Sequence, residues 1–315
     1  MSTLPRPLTL PPTSTTAAAR VAHRRAARRE RATAWAFIAP SVVVILGLSV
    51  VPVIWSLLLS FRADDLVTPG RWVGLDNYRA LAQDPNFRTA VGNTLLYAGL
   101  YVPLSLVGGL AMALALNRRI RFVGLYRTLV FIPFVVSATA QGVLFSFILD
   151  PEFGVAGALL DELGVSRQGF LSDPGQALYL LVLISLWSGL GFCVVVYLAA
   201  LQDVPPELVE AARLDGAGRG RVLWHVTLPA LTPVTVFLLL WQFITALQVF
   251  DLIYVTTKGG PLGSTTVVVY FVWQQAFQMF TAGYGAAAAY VLAVALFVAG
   301  GALRVVRRRA ERAAR

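Results

Sequence analysis

Six apolar stretches constrain this chain more than any other feature. They run approximately from Ala34 to Phe61, Thr94 to Leu116, Thr128 to Leu149, Ala177 to Ala200, Leu228 to Thr256 and Tyr284 to Val306. Each reaches the roughly 20 residues that an α-helix needs to cross a hydrocarbon core. A helix satisfies its own backbone polar groups, so a single segment can cross lipid in that form. Pro40, Pro52, Pro103, Pro133 and Pro233 fall inside these runs, where membrane helices tolerate them. With 57% hydrophobic and only 13% charged residues, the composition lies outside the soluble range. The chain is expected to be all-α and membrane-integral, with six transmembrane helices across residues 34–306.

Basic residues orient the spans. With both termini cytoplasmic, every basic residue except Arg62, Arg71, Arg79, Arg88, Arg167 and Lys258 falls on the inner side. That asymmetry satisfies the positive-inside rule. It also explains the net charge of +10 without nucleic acid, because the arginines cluster beside apolar runs rather than on one soluble face. Residues 265–280, TTVVVYFVWQQAFQMF, are too short and too polar for a seventh span, which would also push the arginine-rich C-terminus outward. They read as an external interfacial or re-entrant helix. The outer loop from Asp150 to Gln176 holds Asp150, Glu152, Asp161, Glu162 and Asp173 against Arg167 alone, enough for a small acidic surface.

The two ends are basic tails. Residues 1–33 are rich in Pro, Thr, Ala and Arg and are expected to be a disordered cytoplasmic segment; residues 307–315 form the second tail. The apolar run after residue 33 is too long for a secretory h-region and should remain as an anchor. Cys193 is the single cysteine and sits inside an apolar run, so a packing role is expected and no internal disulfide can form.

One polar loop, residues 202–229, interrupts this apolar plan between the fourth and fifth spans: QDVPPELVEAARLDGAGRGRVLWHVTLP. Pro206 suits the first turn of a short helix. Leu208, Val209, Ala211 and Ala212 give that helix an apolar side, and Gly216 after Asp215 can take the left-handed conformation that ends it. A second short helix carrying Val222, Leu223 and Val226 leads to Leu228 and Pro229. The expected product is a helix-turn-helix elbow on the inner membrane face.

Glu210-Ala211-Ala212, Gly216, Val226 and Leu228-Pro229 stand at the spacing E-A-A-x3-G-x9-I-x-L-P. This resembles the EAA motif of ABC-importer permeases; only Val226 departs from it, one β-branched residue for another. Phe37-Ile38-Ala39-Pro40, Val73-Gly74-Leu75-Asp76-Asn77-Tyr78, Asn93-Thr94, Tyr126-Arg127-Thr128 with Ile132-Pro133, and Gly259-Gly260-Pro261 resemble the carbohydrate-uptake branch of that family. The resemblance implies a type I importer permease in a bacterial plasma membrane, working with an ATPase dimer, a second homologous permease and an extracytoplasmic solute-binding protein. It implies that Glu210, Ala211, Ala212, Asp215, Gly216, Leu228 and Pro229 couple the chain to the ATPase. The elbow would turn closure of that ATPase into rocking of the fifth span.

Catalytic chemistry is not expected. The stretch Gly259–Thr266, GGPLGSTT, lacks the G-K-[ST] ending of a phosphate-binding loop, so ATP would be hydrolysed by a separate subunit and no cofactor is expected here. His23 and His225 lie far apart, with no metal-ligand spacing. Charge inside the spans is scarce, which disfavours a proton-driven transporter. Sugars are bound by polar side chains and flat aromatic faces, so Trp241, Gln242, Thr245, Gln248, Asp251 and Tyr254 on the fifth span are the candidate pathway residues. The alternative readings are a permease of the same superfamily for a non-sugar solute and, behind it, a secondary transporter.

Overall fold

The computed structural model describes residues 30–31, 33–65, 67–68, 70–118 and 121–313. The expected N-terminal tail lies almost entirely outside these residues; Glu30, Arg31 and Thr33 are already helical. The chain divides into two units, Met1–Leu58 and Leu59–Arg315. The described part of the first is helix α1, Thr33–Ser60, whose last two residues belong to the second unit; 6% of its most apolar window is buried. An apolar helix with so little protein cover is suited to lipid or to another chain.

The second unit is mostly helical. A two-stranded hairpin of β1, Arg62–Ala63, and β2, Arg71–Trp72, pairs Arg62 with Trp72 and Ala63 with Arg71. Helix α2, Asp76–Gln83, precedes the long α3, Pro85–Leu116. The Asp84 side chain caps α3 by accepting from the amide of Asn86, and Pro85 stands where a missing N–H costs nothing. Then come α4, Val123–Val135; α5, Ala138–Ile148; α6, Val155–Glu162; α7, Ala177–Gln202; and α8, Pro206–Leu214. Short α9, Arg219–Val222, runs through a π-turn at Leu223–Thr227 into α10, Leu228–Leu247. After it stand α11, Asp251–Val255; α12, Val268–Trp273; and α13, Ala282–Ala313.

Among the described residues, α1, α3, α7 and the run Arg219–Val255 are long and apolar enough to span a membrane, and α4 with α5 makes a fifth candidate. That fifth is not the straight helix expected over 128–149. It bends by 97° between Val135 and Ala138. Pro133 cannot supply a backbone N–H, Val136 is extended, and the Ser137 hydroxyl restarts the helix by accepting from the amide of Ala140. Gln141 then donates to the carbonyl of Val136, at 2.7 Å, and to that of Pro133, at 3.1 Å, which also accepts from the amide of Val136. A break at membrane depth is tolerated when its orphaned carbonyls find such donors.

Helix α12 falls within residues 265–280, for which an interfacial or a re-entrant helix is expected. Val267, Val268, Tyr270 and Phe271 are buried, and Phe271 packs on Phe87 and Tyr284, so the segment is seated in the protein between α3 and α13 rather than lying on a surface. Asn93 latches the preceding loop by donating to the carbonyls of Gly263 and Thr266, while the Thr94 hydroxyl accepts from the amide of Val268.

Small residues bring α3, α4 and α7 together. A methyl group at Gly191 would stand 2.7 Å from the carbonyl oxygen of Val130, and one at Gly109 would strike the Cβ of Cys193. Without a hydrophobic drive between helices in lipid, such close approach is the main source of packing energy. Cys193 is buried in this crossing, as its apolar context implied.

Candidate functional site

The residues singled out in the sequence fall in two places, the elbow and a cavity beside α10. In the elbow, Pro206 opens α8 and Gly216 ends it at φ +81°, a conformation that an L-residue adopts only at a cost. The amide of Ala217 closes back onto the carbonyl of Ala212 at 2.9 Å. Val222 is buried and seats α9, whereas Glu210, Ala211, Asp215, Gly216 and Pro229 are exposed and Ala212 and Leu228 half-buried. Of the apolar side foreseen for α8, Val209 and Ala212 are half-buried while Ala211 is exposed and Leu208 is 54% exposed; beyond that side, Leu214 at the helix end is 88% exposed and Trp224 in the π-turn 70%. The elbow is thus a locally bonded unit whose outer side chains, Leu208, Leu214 and Trp224, are largely uncovered by the described residues.

The cavity holds about 320 Å³ and is lined by Tyr97, Gln141, Ser185, Ser188, Gln248 and Asp251, among others. Helix α10 ends at Gln248, and α11 restarts at Asp251, so the break turns both side chains toward the same space. Asp251 in the first turn of α11 is favoured by the helix dipole. On the facing wall, the Tyr97 hydroxyl donates to Ser185 Oγ at 2.7 Å, and Ser188 donates to the carbonyl of Ser185 at 3.1 Å. Tyr97 and Tyr101 stack at 5.8 Å. Aromatic faces beside hydroxyl, amide and carboxylate groups can bind a polyhydroxylated solute, and the lining contains no basic side chain.

Of the six pathway candidates, Thr245, Gln248 and Asp251 come together in this cavity. The other three do not line it. Gln242 is buried behind the wall, donating to the Tyr101 hydroxyl at 3.2 Å and to Cys193 Sγ at 3.3 Å. Trp241 packs in tilted contact with Phe192 and Phe237, and Tyr254 lies against Phe250 and Trp273. The break at Gln248 resets the helical phase for Asp251 and Tyr254, while Trp241, Gln242 and Thr245 precede it on one helix. Tyr97, Tyr101, Gln141, Ser185 and Ser188 were missed. Polar residues one turn apart inside apolar runs, Tyr97 with Tyr101 and Ser185 with Ser188, were the available signal.

Residues 105–312 match the family described as binding-protein-dependent transport system inner membrane component. The chain is 33% identical over 281 residues to the sulfoquinovosyl glycerol transport system permease protein of Agrobacterium fabrum, spanning 88% of this chain and 91% of that protein. It is 33% identical over 274 residues to the arabinooligosaccharides transport system permease protein of Bacillus subtilis, spanning 85% and 86%. A bacterial alginate ABC transporter in complex with alginate pentasaccharide-bound periplasmic protein superposes with a TM-score of 0.81 at 25% identity, over 89% of this chain and 96% of that one.

Proposed function

We infer the function from one premise: this chain belongs to the binding-protein-dependent transport system inner membrane components. It is a multi-pass inner-membrane protein and a translocation subunit of an ABC transporter, not an enzyme. The finer reading is our own. The chain crosses the membrane six times, its sixth span being the N-terminal part of α13, and both termini face the cytoplasm. It imports a sugar or oligosaccharide delivered by an extracytoplasmic solute-binding protein, beside a second homologous permease. ATP is consumed by a separate ATPase dimer that grips the elbow. The three relatives above are named for sugar-containing solutes, and the cavity of tyrosines, serines, Gln248 and Asp251 suits such a cargo.

The observation that carries the coupling role is the uncovered elbow. Glu210 and the apolar Leu208, Leu214 and Trp224 are presented outward by two short helices fused through a π-turn to the base of α10. A lever so attached moves α10, and with it the Gln248 to Asp251 break at its far end. The test is affinity purification of the tagged chain from its native membrane, with mass identification of bound proteins. An ATPase and a related permease should be recovered, and the ATPase should be lost from Glu210→Lys. Recovery of the chain alone, still moving solute after reconstitution, would overturn the reading.

A further inference from the structure

A second, smaller cleft lies between α4 and α7, on the side of their Gly191 crossing that faces the elbow. It holds about 240 Å³ and is lined by Arg127, Val130, Val194, Val195, Ala199 and Gln202, among others. Its floor and its mouth differ in chemistry. Val130, Val194 and Val195 form an apolar floor next to the crossing. Arg127, in the second turn of α4, and Gln202, the last residue of α7, form a polar mouth where both helices leave the apolar zone. Nothing assigned to transport or coupling uses this cleft.

Arg127 is not consumed by internal contacts. One terminal nitrogen, Nη2, donates to the carbonyl of Leu116 at the end of α3 at 3.1 Å, while Nε is buried with no acceptor. A guanidinium with spare donors at a half-buried site is short of an anion, because a buried donor without a partner costs roughly 1–3 kcal/mol. Arg121 and Arg118, exposed at the same end of these helices, add positive potential. The ligand that satisfies both halves of the cleft is amphiphilic: an anionic head for Arg127 and Gln202, and an apolar tail for the valine floor. A free anion would leave the floor wet, and an apolar peptide helix would leave Arg127 unpaired.

We propose that this cleft binds an anionic phospholipid of the inner leaflet, its phosphate held by Arg127 and Gln202 and one acyl chain laid along Val130, Val194 and Val195. The leaflet rests on the inward orientation proposed above; the lipid chemistry does not. Basic pockets between transmembrane helices on the cytoplasmic side are known to bind anionic head groups. The bound chain would fill the wedge that opens below Gly191 and hold α4 against α7 as the elbow moves.

The test uses the intact transporter purified in a neutral detergent, with retained lipids measured by native mass spectrometry and extraction. Wild type should keep phosphatidylglycerol over phosphatidylethanolamine. Arg127→Gln should lose that preference by roughly fivefold or more, the effect expected of one basic group near a membrane surface, and Arg127→Lys should recover part of it. Because Arg127 also holds Leu116, Val195→Trp is the independent variant: it fills the cleft from an exposed position, leaves Arg127 intact, and should expel the lipid. Unchanged phosphatidylglycerol retention in Arg127→Gln and Val195→Trp would overturn the proposal. So would displacement of the lipid by millimolar inorganic phosphate, or cross-linking of Ala199→Cys to another protein chain in the intact complex. Cysteine accessibility at Gln202→Cys, read separately, decides the leaflet alone.

Discussion

The elbow and the α3–α4–α7 crossing stand at opposite extremes of one molecule. The elbow follows a strict residue spacing over residues 210–229, yet leaves Leu208, Leu214 and Trp224 open to solvent. The crossing glycines belong to none of the motifs quoted above, yet leave no room for a methyl group at Gly109 or Gly191. The difference teaches where each region finds its constraint. At the crossing the glycines press against backbone and side chains of neighbouring helices, so the fold dictates the residue. In the elbow Glu210 and Ala211 are exposed and Ala212 only half-buried, so packing among the described residues does not dictate them, and the proposed partner is what would.

Two glycines give the sharpest way to break this comparison. Gly191→Leu should leave almost no folded protein in the membrane, because the added atoms collide with the backbone of α4 at Val130 and Phe131. Gly191→Ala should lower the melting temperature in detergent by the roughly 1–3 kcal/mol typical of overpacking. Gly216 has open space around it and φ +81°, so Gly216→Ala bears only left-handed strain of about 1–2 kcal/mol and should accumulate normally. Equal accumulation of Gly191→Leu and wild type would mean that the crossing is not the structural core described above.

The next effect falls on transport and spares stability. Glu210 is exposed and makes no contact that the fold needs, so Glu210→Lys should melt within about 0.5 kcal/mol of wild type. Uptake should fall at least about 30-fold, since reversing a docked charge costs 2–5 kcal/mol or more. Gly216→Pro should also lose uptake, but with a drop in melting larger than that of Gly216→Ala, because proline is fixed near φ −65°, cannot end the helix at +81° and lacks the N–H that donates to the carbonyl of Arg213. Cellular uptake together with thermal melting reads both. Normal uptake in the two variants would turn the elbow back into a plain connector.

What the sequence discloses follows the range of the interactions. Pro206, Gly216 and Leu228-Pro229 are legible because helix starts, left-handed ends and span entries are decided within a few residues. Gln141 is the instructive failure. It reads as a stray polar residue in an apolar run, and the carbonyls of Pro133 and Val136 become its partners only once the span has broken. Pro133 and the cap at Ser137 were visible, but a proline alone does not tell a kink from a 97° turn. Gln141→Leu should therefore destabilise the protein by about 1–3 kcal/mol, seen as a lower melting temperature. Gln141→Glu, which removes the donor and keeps the size, should do the same. Retention of wild-type melting in Gln141→Leu would show that water or lipid can serve those carbonyls.

The cavity was half legible for a related reason: its lining comes from α3, α5, α7, α10 and α11, and no single span contains it. Gln248 tests whether that assembly carries cargo. Its amide joins the exposed end of α10 without the buried bonds that tie Gln242 to Tyr101 and Cys193. Gln248→Ala should leave melting unchanged and shift KM for the transported sugar by roughly 2- to 10-fold, the worth of one hydrogen bond of 0.5–1.5 kcal/mol. Gln242→Ala should do the reverse, lowering stability first and transport only in consequence. If Gln248→Ala leaves both rate and preference among sugars untouched, the cargo travels along another face, and the aromatic wall of Phe192, Phe237 and Trp241 becomes the surface to alter next.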